Sequence, residues 1–219
     1  MILFLINLLV LVWFVWYIAK SNYVYVLYKR QFLQQRMSNM DRVHQLQVML
    51  EDVMTPAMIE KTYVVYGTLL GVIRDNSLIC YDDDIDIQAN VDDYSAILEE
   101  VKHICSEKSE YTYSDMRNFI CSNIMIIHKP TGLCCDITFV KQKGDKLFKL
   151  VPFGTLYNQV ENQLQSDIIY PVKTIPSNLT FSGYISIPQN ANKYLINQYG
   201  VDYMTPNRQV NDKCEFITS

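Results

Sequence analysis

Residues 81–88 read YDDDIDIQ, and the alternation in that run narrows what the chain can fold into more than any other feature. Acidic and branched apolar residues take turns at Asp84, Ile85, Asp86 and Ile87. A period of two belongs to a β-strand, whose successive side chains point to opposite faces. Ile85 and Ile87 are thereby directed into a core, and Asp84 and Asp86 share the other face. Charged residues mostly occupy solvated loops, but a solvated loop has no reason to alternate. Two carboxylates held this close repel each other, and a divalent cation removes the repulsion. Oxygen-only ligands favour a hard ion, Mg²⁺ or Mn²⁺. An EF-hand is excluded, because the glycine and the distal glutamate of the calcium loop are missing. Asp82 and Asp83 read equally well as outer support for such a centre or as turn residues.

A metal centre on a strand usually draws a further carboxylate from a second strand. Asp136 is the best candidate, as a lone acid inside the β-like run CCDITFV at 134–140. An unpaired aspartate buried in a strand is costly, and shared coordination would relieve the cost. A turn or edge-strand aspartate is the competing reading. Upstream, YVVY at 63–66 is a short apolar strand that runs into Gly67-Thr68, after which LLGVIR can begin a helix. The glycine would let a phosphate approach the backbone, and N–H groups at the helix start would bind its oxygens. Arg74 is the cation expected to pair with a phosphate oxygen. Metal and phosphate subsites together suit a nucleoside diphosphate whose oxygens the cation bridges. The three histidines, His44, His103 and His128, are far apart in sequence and form no recognisable triad.

The start of the chain is unlike the rest. Residues 2–19 read ILFLINLLVLVWFVWYIA, without a charge before Lys20. That length is near the lower limit for crossing a bilayer, and Trp13, Trp16 and Tyr17 suit an interfacial belt. A cleaved signal peptide fits less well, for want of a basic n-region and a small-x-small cleavage site. The expected organisation is a transmembrane anchor at 1–20, a juxtamembrane stem at 21–38 and one domain at 39–219. Lys20, Lys29, Arg30 and Arg36 follow the span and place the domain in the cytoplasm by the positive-inside rule. Asn178-Leu179-Thr180, a sequon that matters only in a glycosylating lumen, argues for the opposite side. Net charge is −4 and no basic stripe follows residue 40, so nucleic acid is not an expected partner. The six cysteines contain no CxxC pair, which argues against a zinc ribbon and leaves disulfides and buried thiols both open.

Helical spacing at Val43, Leu46, Leu50 and Val53 predicts a helix over 39–60, capped by Asn39 or Asp41 and interrupted at Pro56. Residues 91–105 predict an amphipathic helix capped by Asp92 or Asp93. Runs at 119–128 and 134–140, joined by Lys129-Pro130-Thr131-Gly132, predict a β-hairpin. Pro188 precedes a short helix that ends at Gly200. The sixteen tyrosines fall mostly on apolar faces or in the stem and read as core and interface residues. The mixture predicts an α/β or α+β domain.

The stretch YGTLLGVIRDNSLICYDDDIDI closely resembles the signature of the LicD/fukutin family. The family pattern is G-T-L-L-G-x-x-R, a short hydrophobic spacer and then W-D-D-D-h-D-h. Gly67, Thr68, Leu69, Leu70, Gly71, Arg74, Asp82, Asp83, Asp84 and Asp86 match, and Tyr81 stands in place of the usual tryptophan. CCDITFV is similar to the family's later aspartate strand. FSGYISIPQNANKYLINQYGVDYMTP is similar to its C-terminal region, so the resemblance runs over about 40–206. It implies an α+β nucleotidyltransferase fold like that of DNA polymerase beta, a mixed sheet flanked by helices. It also implies transfer of a phospho-alcohol, such as phosphocholine or ribitol phosphate, from a CDP-linked donor to a glycan hydroxyl. In that reading Gly67 and Thr68 contact donor phosphates, and Asp84, Asp86 and Asp136 hold the metal. Nucleotidyl transfer from an NTP and an inactive membrane scaffold of the same fold are the alternatives. The family resemblance adds weight to an endomembrane lumen.

Overall fold

The computed structural model describes residues 37–115, 123–143, 146–150, 156–157, 169–180 and 182–206, with residues 8, 10–12 and 214. The expected anchor and stem lie almost wholly outside them. No helix among the described residues is long and apolar enough to cross a membrane.

Helix α1 (Asn39–Val53) buries Leu46, Met49, Leu50 and Val53 along one stripe. Its cap is Ser38, not Asn39 or Asp41. Ser38 is still extended, and its Oγ accepts from the backbone N–H of Asp41. The chain restarts as α2 (Pro56–Lys61), where the Thr55 side chain caps the end and Pro56 occupies the first turn. Strand β1 (Thr62–Val64) is shorter than YVVY. Tyr66 adopts φ 47°, which swings the chain out of the strand and into α3 (Tyr66–Arg74). Strand β2 (Asp84–Asn90) pairs antiparallel with β1. A 3-10 turn (Val91–Asp93) leads into α4 (Tyr94–Glu107), and the side chain that caps this entry is Asn90, not Asp92 or Asp93. Helix α4 buries Tyr94, Ile97, Val101 and Ile104.

The sheet continues with β3 (Tyr111–Asp115), β4 (Asn123–His128), β5 (Cys134–Lys143), β6 (Lys146–Leu150) and β7 (Leu156–Tyr157). Its order is β1-β2-β5-β4-β3, with β6 against β5 and β7 against β6. The β2–β5 pairing is parallel and the others are antiparallel, so the sheet is mixed and the domain is α+β. The β4–β5 hairpin forms at the predicted turn, where Gly132 at φ 73° donates to the carbonyl of His128. A separate two-stranded sheet, β8 (Lys173–Pro176) and β9 (Tyr184–Ile187), precedes α5 (Ala191–Tyr199). That helix is capped by Asn190 and stops at Gly200, whose φ of 94° few other residues would adopt.

Alternation divides the two faces of the sheet. Ile85, Ile87, Ile124, Ile126, Cys135, Ile137 and Phe139 join the helices in the main core. Each such aliphatic side chain contributes roughly 1.5–3 kcal/mol on burial. Met125, Ile127 and Cys134 form a small second cluster on the other face. Cys80 and Cys214 form a disulfide across 134 positions of sequence, while Cys105, Cys134 and Cys135 form none. Both outcomes left open by the cysteine pattern therefore occur in one chain. Cys121 lies outside the described residues.

Candidate active site

The parallel register sets Asp86 beside Asp136 and Asp84 beside Cys134. Neighbouring strands are about 4.8 Å apart, so strand pairing alone brings these side chains together. Asp136 belongs to a central strand between β2 and β4, which removes the edge-strand reading. Ligand atoms of Asp84, Cys134 and Asp136 lie within 4.8 Å of one another, and so do those of Asp82, Asp83 and Asp84. Asp84 belongs to both groups. Asp86 belongs to neither, although it is the register partner of Asp136. The half-buried carboxylates of Asp84 and Asp136 supply oxygens that fit a hard divalent cation, and the buried Cys134 thiol adds a softer donor beside them. Cys134 is a ligand candidate that the carboxylate pattern did not bring out. Its signal was position: it precedes Asp136 by two residues and so shares its face.

The strand-to-helix junction is tied to the same strand. The Val65 N–H donates to the carbonyl of Asp86 at 3.1 Å, and the Asp86 N–H donates to Thr68 Oγ1 at 2.9 Å. Thr68 is buried, so its hydroxyl fixes the height of Asp86 against α3. The positive φ of Tyr66 at this junction costs about 1–3 kcal/mol and belongs to a segment over-determined by its neighbours. Gly67 admits the Asp82 carboxylate to the first turn of α3. A Cβ there would overlap Asp82 Oδ2 and stand 3.3 Å from its Cγ. Gly71 has a different task, because a Cβ there would meet the Ser77 carbonyl oxygen at 2.5 Å. It lets the 77–79 loop close onto the helix.

Arg74 carries an ion pair that the sequence did not announce. Its Nε and Nη2 bind both oxygens of Asp75 at 2.8 and 2.7 Å, and its side chain is only 8% exposed. The fork that was expected to take a phosphate is held by its sequence neighbour, which also raises the arginine's pKa. Arg74 nevertheless lines a cavity of about 280 Å³ together with Gly67, Tyr81, Asp82, Tyr199 and Tyr203. The tyrosines are where sequence reasoning fell short. Tyr199 ends α5, and burial followed by the Asp86 and Asp82 carboxylates pushes its pKa up to about 12. Tyr194 is fully buried 6.2 Å from the Tyr66 ring, and its pKa is also raised, chiefly by burial. The C-terminal helix is thus a wall of the acidic site.

A strand pair carrying convergent acids, backed by a glycine-bearing helix, is an arrangement that suits a nucleotidyltransferase-type domain. The chain belongs to the LicD/FKTN/FKRP family, whose nucleotidyltransferase-domain profile matches residues 60–179. The match includes the acidic run, the α3 glycines and Asp136, and it stops before α5. No protein of curated function matches the sequence. Among solved structures, the lincomycin-bound lincosamide adenylyltransferase LnuA is similar at 14% identity and TM-score 0.41, covering 65% of this chain and 84% of that one. A Thermotoga maritima protein described as a candidate nucleotidyltransferase is similar at 17% identity and TM-score 0.35, covering 67% and 78%. The GTP-bound terminal uridylyl transferase 4 of Trypanosoma brucei shares 13% identity at TM-score 0.30, covering 52% and 34%.

Proposed function

We propose that this domain transfers a phospho-alcohol, such as phosphocholine or ribitol phosphate, from a CDP-linked donor to a glycan hydroxyl and releases CMP. The observation that carries the reading is the common face of Asp84, Asp86 and Asp136, with Asp86 and Asp136 in parallel register. These three side chains would hold one or two Mg²⁺ or Mn²⁺ ions. Such a cation supplies charge neutralisation at the phosphoryl oxygens and the leaving CMP. Cys134 would border the same centre, and Asp82 and Asp83 would support it from outside. The acceptor oxygen attacks the phosphorus that bears the alcohol, and the bond from that phosphorus to the CMP oxygen breaks. Asp136 takes the proton of the attacking hydroxyl. The first turn of α3 at Gly67 already accommodates a carboxylate, and a donor phosphate would take that anion position. The cavity beside it offers tyrosine walls to the nucleoside or the sugar. Residues 1–20 would anchor the domain to a membrane through the 21–38 stem.

CDP-choline, CDP-ribitol and CDP-glycerol are tested for metal-dependent CMP release by the full chain. Release from one of them, lost in Asp84→Asn and in Asp86→Asn, is the expected result. Pyrophosphate released from an NTP, without CMP release, would instead establish nucleotidyl transfer. Absence of both, together with no Mn²⁺ binding by calorimetry, would leave an inactive scaffold.

A further inference from the structure

The β8–β9 hairpin carries the chain's sole Asn-X-Ser/Thr triplet, Asn178-Leu179-Thr180, in its turn. Asn178 is exposed, while Leu179 and Thr180 are buried beneath it. Hydrogen bonds hold the described residues of this turn. The Ser177 N–H donates to the Gly183 carbonyl, the Leu179 N–H to Ser177 Oγ, and the Thr180 hydroxyl to the Tyr184 carbonyl at 2.7 Å. A bulky polar group on Asn178 would therefore extend into solvent without displacing Leu179 from the core. A second feature, unrelated in sequence, needs the same surroundings. Cys80 and Cys214 are joined by a disulfide that ties the start of the acidic loop to the C-terminal segment. Structural disulfides persist in oxidising compartments, and Asn-X-Thr triplets are acceptors only there.

We propose that Asn178 carries an N-linked glycan and that this domain matures in the oxidising lumen of the endomembrane system. The assignment is independent of the catalytic reading. It opposes the charge rule, which with Lys20, Lys29, Arg30 and Arg36 after the apolar run places the domain in the cytoplasm. In the modification, Asn178 Nδ2 attacks the anomeric carbon of a lipid-diphosphate-linked oligosaccharide. The N–C bond forms, the C–O bond to the diphosphate breaks, the lipid diphosphate leaves with the electron pair, and the amide gives up one proton. Cys80 and Cys214 each lose a thiol proton and together pass two electrons to a disulfide-bearing oxidoreductase. The Thr180 hydroxyl that makes the triplet an acceptor is committed to Tyr184 in the finished hairpin. Glycan transfer therefore precedes closure of β8 on β9.

The test expresses the full chain in a eukaryotic cell with an intact secretory pathway. A glycosidase specific for N-glycans increases the gel mobility of the wild type and of Thr180→Ser, which keeps the triplet. The same treatment leaves Asn178→Gln and Thr180→Ala unchanged. Without reductant, Cys80→Ser and Cys214→Ser each lose one and the same intramolecular cross-link. A wild-type chain unaffected by the glycosidase overturns the proposal, whatever the state of the disulfide. So does a glycan that persists in Asn178→Gln. Alkylation of Cys80 and Cys214 without prior reduction overturns the assignment to an oxidising lumen.

Discussion

The two faces of the β2–β5 pair share one backbone and differ in everything else. Ile85, Ile87, Cys135 and Ile137 are fully buried against the helices, and Asp84, Asp86 and Asp136 on the opposite face are half-buried. Because the register is common, packing of the isoleucines stabilises the strand pairing that sets the separation of the carboxylates. A slip of one residue would send the acids into the core, so the apolar face stabilises an arrangement that the acidic face alone would oppose. The largest effect expected from this division is on chemistry. Asp86→Asn should lower turnover by about 10³-fold, the order seen when one preorganised charge-stabilising group is lost. The melting temperature of the metal-free protein should hold or rise, since a repulsive charge has gone. A sharp fall in melting temperature would show that the acids hold the fold, and the division between faces would fail. Ile137→Ala should do the reverse. It should cost about 2–5 kcal/mol in urea denaturation, while the folded fraction keeps its Mn²⁺ affinity.

The same separation runs along α3, between two glycines four residues apart. At Gly71 a methyl group meets backbone, the Ser77 carbonyl oxygen, which cannot turn aside. At Gly67 it meets the far end of the Asp82 side chain, which can. Gly71→Ala should therefore destabilise by about 1–3 kcal/mol through overpacking. Gly67→Ala should leave stability nearly unchanged, helped by the roughly 1 kcal/mol by which alanine surpasses glycine in a helix. Its effect should appear in donor affinity, because the added Cβ narrows the anion position that the Asp82 carboxylate now fills. Urea midpoints for the pair, read beside titrations with a CDP-linked donor, would sharpen the distinction. Equal loss of stability in both would erase it.

Local periodicity explains why the acidic strand was legible and the site around it less so. Asp84 to Ile87 declare a strand and its faces within four residues, and the Gly132 turn declares the β4–β5 hairpin. Placing Asp136 beside Asp86 required knowing that β2 and β5 are parallel neighbours, a pairing across 50 positions that no local pattern encodes. Cys134 shared the face of Asp136 but offers no charge to draw notice. The ion pair of Arg74 escaped notice for a local reason. Adjacent residues do not face each other within a helix, but Asp75 is the residue at which α3 ends, and there it can reach back. The Cys80–Cys214 pair was one of many pairings that six cysteines allow. Tyr199 went unremarked among tyrosines read as core and interface residues, because its importance arises only when α5 packs beside α3, joining segments more than a hundred residues apart.

Tyr199 also supplies the smallest test, one that probes how closely the C-terminal wall approaches the acids. Its pKa moves from the ordinary 10.0 to about 12, first through burial and then through Asp86 and Asp82. The folded state therefore keeps a proton that the unfolded chain releases. Between pH 10 and 12 the unfolded state binds fewer protons, so stability present below pH 10 is lost as pH rises through that window. The loss should be modest, because Tyr199 remains 43% exposed and solvent screens the carboxylates. Urea midpoints across this range should decline less steeply in Tyr199→Phe than in the wild type. Asp86→Asn should recover part of the same difference by lowering the phenol's pKa, since it removes a nearby negative charge. The difference in phenolate absorbance between each protein and the same protein carrying Tyr199→Phe reports that shift. A wild-type titration indistinguishable from Asp86→Asn would separate Tyr199 electrostatically from the β2 acids, and the C-terminal helix would then wall the cavity without sensing the charge beside it.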